Sequence, residues 1–359
     1  MINNIEENIN GVNICIDSKV ELIGILITLS DEPNTEQFKR LFQFNNSEYI
    51  NNIKDNFSYL YDTGLIDRFN NIKNKYYLYY QEPIKLMLML DNFNTDKLEE
   101  YFGYKPDNDI YNFINELKNL YYSDSYIKYY SNNKDIYYEY INGLKPFYSK
   151  YNISNIISNY CGKNNLELYN ILIPFETNGG YGINIDNKAY YCSRINSNLS
   201  FIPEDIDSRL NITIHEFLHS IVNPLTDKKY LNTNYLSNND NLKKVGYEND
   251  YTIINETIVR ALTIRIYSLL VNDINSDDLI ENEYNQGFIY IKEVNEILLE
   301  NEKSNLNFEI LYNRIIDIFK WLNLGDKIRK LVEWFLIPYK IIEYKILNNY
   351  YGFQVVLVK

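Results

Sequence analysis

Histidine is almost missing from this sequence, with two in 359 residues. Cysteine is nearly as scarce: the three residues Cys15, Cys161 and Cys192 stand far apart and form no CxxC spacing. A disulfide framework is therefore excluded, and a reducing, cytoplasmic setting is the default expectation. No apolar run reaches the roughly 20 residues needed to span a bilayer, since Val20 to Leu29 is about half that length and is interrupted by Glu21. The opening residues carry Glu6, Glu7 and Asp17 with almost no basic charge, so they do not read as a secretory leader. Basic residues are outnumbered, with 35 Lys and Arg against 48 Asp and Glu, which gives a net charge of −13. That field repels phosphate backbones and anionic lipid surfaces, so neither nucleic acid nor a membrane is expected as a partner.

Tyrosine, by contrast, is abundant at 37 residues. Tyrosine can stack on bases, but without a basic track it lacks the electrostatic share of nucleic-acid affinity. At helical spacing, as in Tyr126 to Tyr130, it reads as core rim. The remaining composition, 45% apolar and 23% charged, is that of a globular chain long enough for two packed halves.

The apolar spacing predicts a helical N-terminal region over 1–158, with helices in stretches such as Thr35 to Phe44 and Glu48 to Leu60. The pattern then changes. Leu166 to Phe175 reads as a strand, and Tyr181 to Ile185 and Ala189 to Arg194 read as a hairpin around Asp186-Asn187-Lys188. Pro203, Glu204, Asp205 and Asp207 mark a helix start, and Asn223-Pro224 predicts its end near Val222. A polar connection from Thr226 to Asp250 leads to a mostly buried helix, Tyr251 to Val271, with Asn249 or Asp250 as its cap. Helices over Gly287 to Leu299, Phe308 to Trp321 and Lys327 to Tyr344, and a strand-like run from Gly352 to Val358, complete the pattern.

Both histidines lie in one motif. Residues 215 to 219 read His-Glu-Phe-Leu-His, an HExxH sequence on the helix predicted from its flanks. Four residues apart on a helix, His215 and His219 share one face and can reach one zinc ion, while Glu216 points beside the pair, where a general base is needed. Chance placement of two histidines and a glutamate in this pattern has a frequency of about one in 2,500. A catalytic zinc needs a third protein ligand and an open fourth position. With no further histidine to offer, Glu256 on the buried helix is the best-placed donor, because a lone carboxylate there is costly unless paired or bound to metal. Arg260, four residues on, supplies a competing explanation as its ion-pair partner. Glu248, Asp250 and Asp227 compete as ligands from the polar connection, where they read as solvated.

The HExxH motif with a downstream glutamate resembles the gluzincins, zinc metallopeptidases in which two helices bring two histidines and a glutamate to the ion. More narrowly, Val20-Glu21-Leu22, Ile214 to Ser220, Glu256 to Arg265 and Gln286-Gly287-Phe288 resemble a bacterial family catalogued as a domain of unknown function and regarded as metallopeptidases. The resemblance implies His215, His219 and Glu256 as zinc ligands and Glu216 as general base. It also implies a mainly helical α+β fold whose zincin-like catalytic region, over 159–359, holds a small sheet, the HExxH helix and the glutamate helix. The expected activity is hydrolysis of a peptide or protein substrate, with an exposed strand of the hairpin pairing with it. The alternative is a non-catalytic protein with a structural or vestigial zinc site. The chain departs from thermolysin-like gluzincins in its longer separation of His219 from Glu256 and in lacking their later histidine. Tyr230, Tyr247 and Tyr251 are candidate oxyanion donors in its place. Cys192 reads as a packed residue, since no spare histidine could activate it.

Overall fold

An Asn-Gly pair at residues 10 and 11 supplies the positive φ angles, 49° and 80°, that a tight hairpin turn demands. It joins Ile5–Ile9 (β1) to Val12–Ile16 (β2) as an antiparallel pair, an element the sequence reading did not anticipate. The computed structural model describes residues 2–30, 47–79, 81–174, 180–194, 206–227, 236, 239–244, 246–272, 274–304 and 307–320. Glu167–Ile173 (β3) runs parallel to β2, and Gly180–Ile185 (β4) and Lys188–Arg194 (β5) form the expected hairpin, turning at Asp186 and Asn187. β5 pairs in parallel with β3, which gives one mixed five-stranded sheet in the order β1-β2-β3-β5-β4. Among the described residues β4 is thus an edge strand, and backbone pairing between β2 and β3 crosses the 158/159 boundary.

The rest of the described chain is mainly helical, so the fold is α+β. The helices before β3 are α1 (Ser18–Leu29), α2 (Ser47–Phe57), α3 (Tyr59–Asp62), α4 (Leu65–Tyr76), α5 (Glu82–Met89), α6 (Leu98–Phe102), α7 (Asn108–Tyr121), α8 (Asp124–Asn132), α9 (Lys134–Lys150) and α10 (Ile153–Cys161). After the sheet come α11 (Ile206–Asp227), α12 (Asp240–Lys244), α13 (Asp250–Leu270), α14 (Ser276–Gln286), α15 (Ile291–Ser304) and α16 over 308–320. None of the described helices is long and apolar enough to cross a membrane. The predicted segments Thr35 to Phe44, Lys327 to Tyr344 and Gly352 to Val358 lie outside the described residues.

Tyrosines build the core as well as its rim. Tyr126, Tyr130, Tyr137 and Tyr148 are fully buried, and each hydroxyl finds an internal partner, which a buried phenol requires. Tyr130 donates to Ile16 O at 2.9 Å and Tyr137 to Glu21 Oε1 at 2.6 Å, while Tyr126 donates to Ser18 O. Tyr148 accepts from Asn170 Nδ2 at 2.8 Å, tying α9 to β3.

Two predicted boundaries move, each for a local reason. α11 continues through Pro224 to Asp227 instead of stopping near Val222. Proline removes the N–H that would bond the carbonyl four residues back, at Ser220. Asn184 on β4 fills that vacancy, its Nδ2 donating to Ser220 O at 3.1 Å. Thr226 Oγ1 donates to the Val222 carbonyl at 3.2 Å, completing the turn. Gly287, expected to open a helix, instead closes α14 with φ 117°, and α15 starts only at Ile291.

Candidate metal centre

The HExxH helix α11 lies against the sheet at β4 and β5 and against α13 on its other side. α13 is buried around almost its whole circumference, including Ile254, Glu256, Ile258, Leu262 and Ile266. Its start is fixed by Asn249, whose Oδ1 accepts from Thr252 N at 2.8 Å, one of the two predicted caps. This packing places Glu256 opposite the turn of α11 that carries both histidines.

The donor atoms of His215, His219 and Glu256 all lie within 4.8 Å of one another. His215 Nε2 and His219 Nε2 are 3.1 Å apart, His219 Nε2 is 3.2 Å from Glu256 Oε1, and His215 Nε2 is 3.7 Å from Glu256 Oε2. Four ligands at about 2.0–2.1 Å in a tetrahedron are separated by roughly 3.3 Å, so these spacings fit a zinc-sized ion. The set comprises two imidazole nitrogens and one carboxylate among the described residues, which leaves a tetrahedral shell one position short. Asn223, a further turn along α11, has Oδ1 3.2 Å from His219 Nδ1. With Nδ1–H donating there, Nε2 keeps its lone pair for a metal. Sequence reading missed Asn223, although its four-residue spacing from His219 was available as a signal.

Electrostatics follow the same geometry. Burial and the nearby His219 hold the His215 imidazole down at about 3. Burial also disfavours charge on His219, but the Glu256 carboxylate outweighs it and raises that imidazole above its ordinary value. For Glu256, burial alone would raise the carboxyl; the His219 hydrogen bond and the charges of His215, His219 and Arg260 reverse this and bring it to about 2. Burial pushes Glu216 up to about 7, opposed by His219 and by a backbone hydrogen bond from Gly182.

Gly182 explains how β4 reaches the motif. A Cβ on this residue would lie 2.3 Å from Glu216 O and 3.2 Å from His219 Cβ, so strand and helix approach in the space a side chain would take. The expected result of Gly182→Ala is a displaced strand, a loss of about 1–3 kcal/mol and a lower thermal midpoint, measured by calorimetry. An unchanged midpoint would mean the contact is looser than the geometry indicates.

The competing ligands do not reach the cluster. Asp227 and Glu248 are exposed, and Asp227 accepts from the Tyr251 hydroxyl. Asp250, expected to be solvated, is buried, but in the first turn of α13 away from the three donors. Tyr230 lies outside the described residues. Of the three candidate tyrosines, Tyr247 comes to the site, its hydroxyl donating to Glu256 Oε2 at 3.2 Å. Arg260 does pair with Glu256, Nε to Oε2 at 3.1 Å, so ligand geometry and ion pair coexist. Cys192 is buried and packed, as expected.

A family model described as "Domain of unknown function (DUF4932)" matches residues 98–318, more than half of the chain. The chain belongs to the DUF4932 family. The matched span holds β3 to β5, α11, α13 and all three donor residues, so the DUF4932 region includes the whole candidate centre. No curated protein and no solved structure matches the chain.

Proposed function

We propose that this DUF4932 protein is a zinc-dependent peptidase, with His215, His219 and Glu256 as ligands and Glu216 as the proton-transfer residue. The observation that carries the reading is the convergence of two imidazoles and one carboxylate beside an independent, half-buried carboxyl, Glu216, on the same helical turn. Three donors rather than four among the described residues match catalytic zinc sites, which keep a position open. A bound zinc ion would supply Lewis acidity, polarising the scissile carbonyl and acidifying water.

The chain's own groups do the remaining work. Glu216, whose carboxyl burial raises in the metal-free protein, stands beside the three donors, where it can take a proton from the attacking water and return it to the leaving amine. β5 is paired on both sides, whereas among the described residues β4 has a strand on one side only, so β4 is the strand we assign to binding an extended peptide through its backbone. The Tyr247 hydroxyl is directed at Glu256 and so serves the ligand in this arrangement.

Incubation of the zinc-loaded protein with a degenerate peptide mixture should give cleavage that a chelator abolishes and added zinc restores, read by mass spectrometry. Stoichiometric zinc with no cleavage of any peptide would overturn the peptidase reading in favour of a non-catalytic zinc site.

A further inference from the structure

Arg260 lies one helical turn beyond Glu256, and each nitrogen of its guanidinium is engaged. Each of the three nitrogens makes one of these bonds: Nε donates to Glu256 Oε2 at 3.1 Å, Nη1 to Glu283 Oε2 at 2.8 Å, and Nη2 to the Tyr247 hydroxyl at 3.1 Å. The flat face lies over the Phe288 ring, 4.5 Å from its centroid. Tyr247 in turn donates to Glu256 Oε2 and packs edge-on against Phe288. An isolated Glu–Arg pair at this helical spacing is weak and mobile. Here the planar fork is fixed from three directions, which such a pair alone does not achieve.

The two oxygens of Glu256 are consequently distinguished. Oε2 is pinned by Arg260 and Tyr247, while Oε1 is turned toward His219. We propose that Arg260, Tyr247 and Glu283 form a clamp that fixes the Glu256 carboxylate and thereby sets metal affinity from outside the ligand shell. They are positioning residues, and the inference rests on the reading of His215, His219 and Glu256 as metal ligands.

Charge and orientation make opposite predictions for Arg260. If only its positive charge mattered, weakening the arginine would relieve repulsion and tighten metal binding. A clamp predicts looser binding, because the carboxylate regains its freedom. Arg260→Lys keeps the charge and removes the fork, which isolates orientation.

The test is zinc affinity, measured by competition with a chromophoric chelator, on the full chain and on Arg260→Lys, Tyr247→Phe, Glu283→Gln and the Arg260→Lys/Glu283→Gln pair. The parent should bind one zinc per chain, and His215→Ala should abolish this; failure here removes the metal-site reading itself. With that in place, Arg260→Lys should weaken zinc by roughly 10–100-fold, the range for groups that orient a ligand, with Tyr247→Phe and Glu283→Gln weaker in the same direction. The double variant should bind no worse than Arg260→Lys, since Glu283 acts through Arg260. Melting curves of the metal-free proteins separate this from general destabilisation, and Tyr247→Phe, the loss of a single oxygen, carries the test if Arg260→Lys does not fold. Affinities within twofold of the parent, or additive losses in the double variant, would overturn the clamp.

Discussion

Glu216→Gln should retain zinc at the parent level and lose about 10²–10⁴-fold in kcat, the usual contribution of a positioned general base. The amide is nearly the same size as the carboxyl and is not one of the three converging donors, so the metal site keeps its shape. What it loses is the capacity to accept a proton. In the metal-free parent, burial lifts that carboxyl to about 7. Single-turnover rates on any peptide the parent cleaves, alongside metal analysis, are the measurement. Undiminished cleavage by the variant would remove Glu216 from the chemistry while leaving the ligands untouched.

Glu256→Ala should abolish stoichiometric zinc binding, because two imidazoles on one helical turn do not complete a site that needs three protein ligands. Metal analysis after gel filtration reads this directly, and unchanged zinc content would show that the third donor lies elsewhere. A second signature is independent of metal. In the metal-free parent the Glu256 carboxyl sits at about 2, below its ordinary 4.5. A folded-state value below the unfolded one means stability that is present above about 4.5 and lost as pH falls toward 2. The variant lacks that group, so its acid unfolding profile should lose this component between those two pH values.

The centre was legible in the sequence because its logic is local. His215, Glu216 and His219 are spaced by the helix itself, and Glu256 stood out as a lone carboxylate on an apolar helix. Arg260 was legible only by half: its pairing with Glu256 follows from a four-residue spacing, but Glu283, Tyr247 and Phe288 join it through tertiary packing that no periodicity reveals. Pro224 misled for the same reason, since the donor that compensates it, Asn184, sits on a strand forty residues earlier. The hairpin of β1 and β2 is a different case. Asn10-Gly11 between Ile5, Ile9, Val12, Ile14 and Ile16 carries a recognisable turn signal, but its two five-residue strands are short beside the helical texture that follows.

That hairpin also constrains the order of assembly. β2 docks beside β3 through pairs such as Val12 with Leu168 and Cys15 with Ile171, joining residues at opposite ends of the long helical region. Contacts so distant in sequence must wait for loop closure, which slows folding relative to the helical stretch between them. Until β2 arrives, one side of β3 presents unpaired amides and carbonyls to solvent, the kind of edge on which chains associate wrongly. The helices between β2 and β3 can fold early on local contacts, so the open flank of β3 makes sheet completion the vulnerable, late step in this protein's maturation.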